Sequence, residues 1–428
     1  MKSPVLASAA TANPALGQPA RVTSIDALRG LVMFTMIYVN DLSGAGKIVP
    51  DWMIHFSERH RTGSGMTFVD LVFPGFLFIA GMSIPFALGA RVDRGEPLWS
   101  SLRHILGRTL ALLGIGVLMV NESPDAAKLG WSPALWATLM YLSAIAAFCT
   151  ISPGAKFGGP SRLWRNVSLA LRAAGFASLA WLAFAFVGAD GHRIITLAPL
   201  TLHHDWWGIL GLVGWAYLVG CVVFLLFRGQ RTALAVCTGL LLCLYPAERT
   251  GAFDGFWLAD QVGFGGTLGS QAAITVAGML LASILRAPDM TAVSARVRFT
   301  LLFIAATSAA ALLVNGLYGI SKNSATPSWC LWSCAVTAAL WLLLYFVTDV
   351  RPRAFLARPL AAAGQNVLLA YLLSEMLPSA LALVHLDGWY EGLAGPTLFF
   401  AVARSLGCGV VILAATAALN RAGFRLKL

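Results

Sequence analysis

Residues 67–90 read TFVDLVFPGFLFIAGMSIPFALGA, a run in which Asp70 is the one charged side chain. A transmembrane helix needs roughly 20 predominantly apolar residues, and this run is longer than that. Working outward from it, the chain yields twelve such segments: 27–45, 67–90, 102–120, 131–151, 167–187, 206–227, 232–246, 267–285, 299–317, 327–348, 360–384 and 397–419. The seventh, 232–246, is the shortest. Over all 428 residues, 58% are hydrophobic and 11% charged. A water-soluble domain carries about one quarter charged residues, so this chain cannot cover a water-facing surface and requires lipid as its solvent. The expected fold class is an all-α polytopic membrane protein with about twelve transmembrane helices.

The distribution of basic residues sets an expected orientation. The net charge is +11, and the Lys and Arg residues fall in short clusters between apolar segments, so membrane orientation explains them better than a nucleic-acid partner. With the N-terminus inside and the segments alternating, 22 of the 30 Lys and Arg residues lie on the inner side. The outer side keeps eight: Lys47, Arg59, Arg61, Lys128, Arg193, Arg249, Lys322 and Arg404. Both termini are therefore expected in the cytoplasm. Met1 to Ala20 is rich in Ala, Ser and Pro and lacks a continuous apolar stretch, which predicts a disordered cytoplasmic tail (residues 1–20) and not a cleaved signal peptide. No loop is long enough to bury a core of its own, so residues 21–428 are expected to form a single transmembrane domain. The seven cysteines show no CxxC pair or zinc spacing, which predicts no metal site and no disulfide framework. The GFGG at 263–266 lacks the ending of a phosphate loop.

Polar groups near lipid mark the places to look for function, and the first hairpin is the richest. It reads RVTSIDALRGLVMFTMIYVND over 21–41 and HRTGSGMTFVDLVFPGFLFIAGMSI over 60–84. Asp26 and Arg29 are three residues apart and can pair on one helix face. Asn40 and Asp41 end the first segment. Asp70 begins the second, with Pro74 one turn later predicting a kink. His60 precedes Asp70 by ten residues in a Gly-rich loop, so Asn40, His60 and Asp70 are expected to converge near the outer face. An imidazole oriented by a carboxylate is a general base, and an asparagine amide can hold an acyl oxygen. From spacing alone, His55 and the His203–His204 pair compete with His60. The tryptophans, among them Trp52, Trp206, Trp207, Trp329 and Trp389, fall mostly at segment ends, as in an aromatic belt.

The stretch SIDALRG, then VN, then a histidine ten residues before DLVFPGFLFIAGMSI resembles the opening of the heparan-α-glucosaminide N-acetyltransferase family. Three later stretches are also similar to bacterial members: WWGILGLVGWAYLVG (206–220), ISKNSATPSWCLW (320–332) and GQNVLLAYLLSE (364–375). The resemblance implies a multi-pass protein of the bacterial inner membrane that moves acetyl from cytoplasmic acetyl-CoA, its co-substrate, to the amine of a glucosamine or glucosamine-terminated sugar on the periplasmic side. It places the catalytic histidine on His60, with Asp70 and Asn40. Arg108 and Asn366 match family positions. With Arg29 they are expected near the inner face, where the phosphates of CoA arrive and arginine suits them. Lys322, Asn323 and Ser328, with Glu375 deeper in its helix, are the expected acceptor-binding residues. The sequence departs from the family's Trp-Asn-Gly motif, having Arg61-Thr62-Gly63-Ser64-Gly65, and its loop between Asn40 and His60 is long. The partners expected are acetyl-CoA, an amino-sugar acceptor, the bilayer and a second copy in a homodimer. A secondary transporter for a sugar or amino sugar, and an O-acyltransferase of envelope glycans, remain the alternatives.

The charge asymmetry generates a direct test. Reporter fusions within 121–130 and 320–326 are expected to read periplasmic, and fusions within 286–298 cytoplasmic. A periplasmic signal at 286–298 overturns this topology.

Overall fold

The structure, a computed structural model, describes residues 22–57, 63–153, 159, 161–197, 200–204, 206–351 and 354–428. The predicted tail at 1–20 and the predicted catalytic His60 lie outside the described residues.

The chain is helical along nearly its whole described length. The helices are α1 (Thr23–Ser43), α2 (Val72–Asp93), α3 (Leu98–Val120), α4 (Ala126–Leu129), α5 (Pro133–Phe148), α6 (Arg162–Ala185), α7 (Gly208–Phe227), α8 (Arg231–Arg249), α9 (Ala272–Ser283), α10 (Val293–Tyr318), α11 (Pro327–Tyr345), α12 (Ala354–Ala363), α13 (Val367–Leu383), α14 (Asp387–Gly392) and α15 (Leu398–Arg421). Besides short 3-10 and π-helical segments, the described residues hold four three-residue strands. β1 (Cys149–Ile151) pairs antiparallel with β4 (Phe424–Leu426), and β2 (Ile195–Leu197) pairs with β3 (Leu200–Leu202).

Each of the twelve apolar segments coincides with a helix. Among the described residues, eight helices are long and apolar enough to cross a membrane: α2, α3, α6, α7, α9, α10, α11 and α15, with α2, α9 and α11 counted together with their flanking turns. Of the other four segments, α5 and α13 are apolar but shorter. Helix α1 carries Asp26, Arg29 and Asp41, and α8 carries charges at both ends.

The bundle is apolar outside as well as inside. On α10, Leu302, Leu312, Leu313 and Leu317 are 64%, 63%, 79% and 75% exposed. Four such leucines on one helix make an apolar patch that water does not tolerate and lipid does. Inside, α9 is buried along its entire length and packs on α2, α7, α8 and α11. The α2–α9 contact is backbone on backbone: a β-carbon at Gly81 would overlap the Thr275 carbonyl, and one at Gly278 the Phe78 carbonyl. Small residues allow this close approach, which in lipid supplies the packing that hydrophobic exclusion cannot.

Two expectations from the sequence are corrected here. Pro74 does not kink the second segment. The α-helix begins only at Val72, so Pro74 sits in its first turn, where no intrahelical N–H is missed; the interior proline is Pro85. Trp329 is not a belt residue, since it is fully buried at the start of α11. Trp52, Trp206 and Trp389 are exposed as a belt requires.

The Gly81 contact yields a test. Overpacking a close-packed site costs typically 1–3 kcal/mol, and the overlap here is with unyielding backbone. Gly81→Val is expected to lower the melting temperature of the detergent-solubilised protein markedly. Gly107→Val, where a β-carbon meets open space, is expected to leave it near wild type. Equal melting of the two variants contradicts the α2–α9 contact.

Candidate active site

The DLVFP segment builds a site around one carboxylate. Thr67 to Leu71 does not continue α2 backward but winds as a 3-10 turn, Phe68–Leu71, capped by a reciprocal pair in which Thr67 and Asp70 satisfy each other's backbone. Asp70 Oδ2 accepts from the Thr67 amide at 2.9 Å and from the Phe56 amide at 3.0 Å. The Thr67 hydroxyl donates to the Ile54 carbonyl at 2.7 Å. These bonds fold the loop ahead of Asp70 back onto the start of α2. His55 thereby comes to rest with Nδ1 2.8 Å from Asp70 Oδ1, while Asp70 itself is 1% exposed. Trp329 donates its indole N–H to the Asp70 carbonyl at 3.2 Å, tying α11 to the same turn.

With Nδ1–H donating to the carboxylate, Nε2 carries the lone pair. The Lys322 ammonium lies 3.2 Å from Nε2 and 3.1 Å from Nδ1. The ammonium is thus equidistant from the two ring nitrogens, and in the tautomer with the proton on Nδ1 the acceptor it faces is Nε2. Its loop is held against the His55–Asp70 loop by Gly65 N–H to the Ile320 carbonyl and Ile320 N–H to Ser64 Oγ, at 2.9 and 2.7 Å. Lys322, His55 and Asp70 thus meet across two loops at one end of the bundle.

A second polar group stands at the same end. Asn40 Nδ2 donates to Glu375 Oε1 at 3.0 Å, linking α1 to α13. Both line a cavity of 410 Å³ with Asp41, Tyr390 and Arg404. Asp41 accepts from Tyr390 at 2.6 Å, from Arg404 Nε at 3.1 Å and from Ser405 at 2.6 Å. The Asp41 and Arg404 side chains are 12% and 5% exposed. Burial and the bond to Asp41 push the Tyr390 hydroxyl above its ordinary pKa, so it stays a donor. Glu375 was expected to need a partner or a cavity, and it has both.

The remaining expected residues fall as follows. Asn40 turns to Glu375 and not to Asp70, so the expected convergence of Asn40 with the histidine–aspartate pair is not a direct contact. Ser328 is fully buried and donates to the Ala311 carbonyl at 3.1 Å, a bond between α11 and α10 that keeps it from an acceptor. Asn323 is exposed on the loop beside Lys322. Asn366 donates to the Phe424 carbonyl at 3.3 Å and accepts from the Leu426 amide at 3.2 Å, so it clamps the last strand. Arg29 bonds Asp26 at 2.7 Å, Ser83 at 2.8 Å and the Gly364 carbonyl at 3.2 Å. Arg108 is not at the start of its helix, because α3 extends back to Leu98. At a rise of 1.5 Å per residue it lies about 15 Å into α3. Its guanidinium stacks 4.7 Å over the Tyr217 ring, and its buried Nε has no hydrogen-bond partner.

His60 lies outside the described residues; His55, one of its competitors on spacing, is the described histidine that meets Asp70, because the loop folds back on itself. The signal lay in Thr67, which can cap a helix start and hold the loop. Among the competing histidines, His203 stacks on His192, with ring centroids 4.3 Å apart. His192 itself pairs with Asp190, whose carboxyl it holds below the usual range, and its Nε2 is taken by Asn121 at 3.2 Å. Asp190 is 71% exposed, so this second pair lies in water with both ring nitrogens occupied.

Comparison with known proteins bears on the same segment. The family described as "Domain of unknown function (DUF5009)" matches residues 21–184, from α1 through nearly all of α6. Over 113 residues the chain is 34% identical to the heparan-alpha-glucosaminide N-acetyltransferase of Homo sapiens. Over 111 residues it is 35% identical to that of Mus musculus. The chain is thus similar, over about a quarter of its length, to heparan-alpha-glucosaminide N-acetyltransferases. The matches cover 26% of this chain and 16% of each relative.

Proposed function

We propose that the protein is a transmembrane acetyltransferase that takes acetyl from cytoplasmic acetyl-CoA and delivers it to the amine of glucosamine or a glucosamine-terminated sugar on the periplasmic side of a bacterial inner membrane. The proposed topology has twelve spans with both termini inside. The observation that carries the reading is the imidazole of His55 seated on the buried Asp70 carboxylate at one end of the bundle, in a chain similar over 113 residues to an N-acetyltransferase.

In this mechanism Asp70 fixes the Nδ1–H tautomer, leaving Nε2 as the base. The acceptor amine takes the place of the Lys322 ammonium at Nε2 and gives up its proton there as its nitrogen attacks the thioester carbon. The C–N bond forms, the C–S bond breaks, and the CoA thiolate leaves and takes a proton from the imidazolium. Lys322, displaced by a few ångströms, is placed to stabilise the oxyanion. Asn40 and Glu375, at the cavity on the same end, hold the sugar. Of the three residues expected to bind CoA, Arg108 has donor capacity unspent inside the bundle, whereas Arg29 and Asn366 are engaged in internal bonds.

Transfer of labelled acetyl from acetyl-CoA to glucosamine by the purified protein tests the reading. A positioned general base contributes about 100- to 10,000-fold, so His55→Ala is expected to lose at least 100-fold in kcat while still binding acetyl-CoA. Asp70→Asn is expected to lose activity too, because an amide favours the wrong tautomer. His60→Ala is the decisive comparison. If it is dead and His55→Ala is active, the histidine marked by ten-residue spacing is the base and the Asp70 pair is structural. If both variants are active, histidine base catalysis fails.

The role of Arg108 is separable from the chemistry. Losing one charge-assisted bond costs about 1.5–3 kcal/mol, so Arg108→Ala is expected to raise KM for acetyl-CoA roughly tenfold or more with KM for glucosamine unchanged. An unchanged KM for acetyl-CoA returns Arg108 to packing on Tyr217.

A further inference from the structure

At the end of the bundle remote from Asp70, the last turns of α2, α7 and α9 and the start of α8 enclose a cavity of 650 Å³. Its wall carries three guanidinium groups, Arg228, Arg231 and Arg286, and two carboxylates, Asp93 and Asp289. Each carboxylate is committed to one arginine: Arg286 Nη2 meets Asp93 at 2.5 Å, and Arg231 Nη2 meets Asp289 at 2.5 Å. Both carboxylates are mostly in water, at 65% and 58% exposure. Arg286 also donates to the Pro85 carbonyl, crossing α2 at Gly89, where a β-carbon would occupy the guanidinium's place.

An arginine has five N–H donors. The described bonds use one from Arg231, two from Arg286 and none from the Arg228 side chain, so most of the donor capacity of the cavity is unspent. Arg228 and Gly229 both have positive φ, 48° and 81°, and this turn brings the start of α8 to the cavity, with Thr232 on its wall. Gln230 gives α8 no side-chain cap, which leaves the positive end of the helix dipole uncompensated. The two helices that lead away from the cavity wall, α7 and α8, carry exposed apolar side chains: Leu226, Phe227, Val236 and Leu240 are 69%, 36%, 55% and 63% exposed.

We propose that this cavity binds the phosphate of an anionic phospholipid whose acyl chains lie along the apolar flank of α7 and α8. Planar guanidinium groups suit phosphate oxygens, and basic pockets between membrane helices take lipid head groups in this way. Coenzyme A offers the same phosphate chemistry but nothing to cover the apolar flank, which favours the lipid.

The test uses the full-length protein in a zwitterionic detergent, titrated separately with phosphatidylglycerol, phosphatidylcholine and CoA while its melting temperature is followed. Arg228→Asn removes the free cation, and asparagine tolerates the left-handed backbone. Phosphatidylglycerol is expected to raise the wild-type melting temperature and phosphatidylcholine to leave it unchanged. Arg228→Asn is expected to need about fivefold more phosphatidylglycerol, from roughly 1 kcal/mol per basic residue. Arg421→Gln, which removes an exposed arginine from the last turn of α15, is expected to titrate as wild type. Equal responses to the two lipids, or equal losses in the two variants, overturn the proposal. A CoA response lost in Arg228→Asn with the phosphatidylglycerol response intact assigns the cavity to the nucleotide instead. If Arg228→Asn does not fold, Arg231→Gln carries the same comparison. None of these readouts depends on acetyl transfer.

Discussion

The Asp70 carboxylate is almost wholly withdrawn from water, and what surrounds it follows from the need to satisfy it. A buried ionised carboxylate is tolerated only with several donors. Here three donors come from two places in the chain: the Thr67 amide at the start of its own turn, and the Phe56 amide and His55 ring from the folded-back loop. The same residue's backbone carbonyl receives Trp329 from α11. The start of α2, the path of the loop after α1, and the seating of α11 are thus fixed by one residue. His55 is aimed as a by-product of that arrangement, which is why its geometry does not depend on any exposed, mobile contact.

Charges elsewhere in the bundle obey the same constraint. At the Asp70 end, the Asp41–Arg404 pair is joined by Tyr390 and Ser405, and Arg404 stacks 5.1 Å over the Tyr390 ring. At the opposite end, Asp26 and Arg29 pair as their three-residue spacing requires, and Arg29 reaches on to Ser83 and the Gly364 carbonyl. Removing one partner from such a pair strands a charge away from water, so these contacts fix how α1 sits against α2, α13 and α15 more firmly than their net worth suggests. Asn40–Glu375 belongs to the same class, with one difference: it borders a cavity, so its bonding capacity is open to an incoming ligand.

The helices were legible because lipid imposes a length and a composition, and both are visible as runs of residues. Even the short segment at 232–246 is a helix, α8. The site was less legible because its residues meet across distances that no local pattern encodes. Asn40 and Glu375 are 335 positions apart, and Lys322 reaches His55 across 267. Asp70 was legible as a buried carboxylate beside an apolar run. That His55 meets it was not, because local spacing does not show that the loop doubles back under the hold of Thr67. The partners of Asn366, in the C-terminal strand, could not be foreseen from its own helix.

Arg108 poses the sharpest question of energetics. A guanidinium halfway along a transmembrane helix is costly wherever it is not paired. Arg29 meets that cost with a carboxylate, a hydroxyl and a carbonyl. Arg108 has the face of Tyr217, which a cation–π contact rewards with about 2 kcal/mol or more when desolvated, and a buried Nε left without a partner. Tyr217 and Cys221 sit one turn apart on the same buried face of α7, so the surroundings offer little else for it to bond. A stability role alone does not account for arginine there, since leucine or methionine would pack on Tyr217 without a desolvation cost. Arginine becomes favourable at this position when an anionic or strongly polar group arrives to use its spare donors. In the proposed reaction the pantetheine arm of acetyl-CoA would supply that group, which is the reason Arg108 is proposed to bind it.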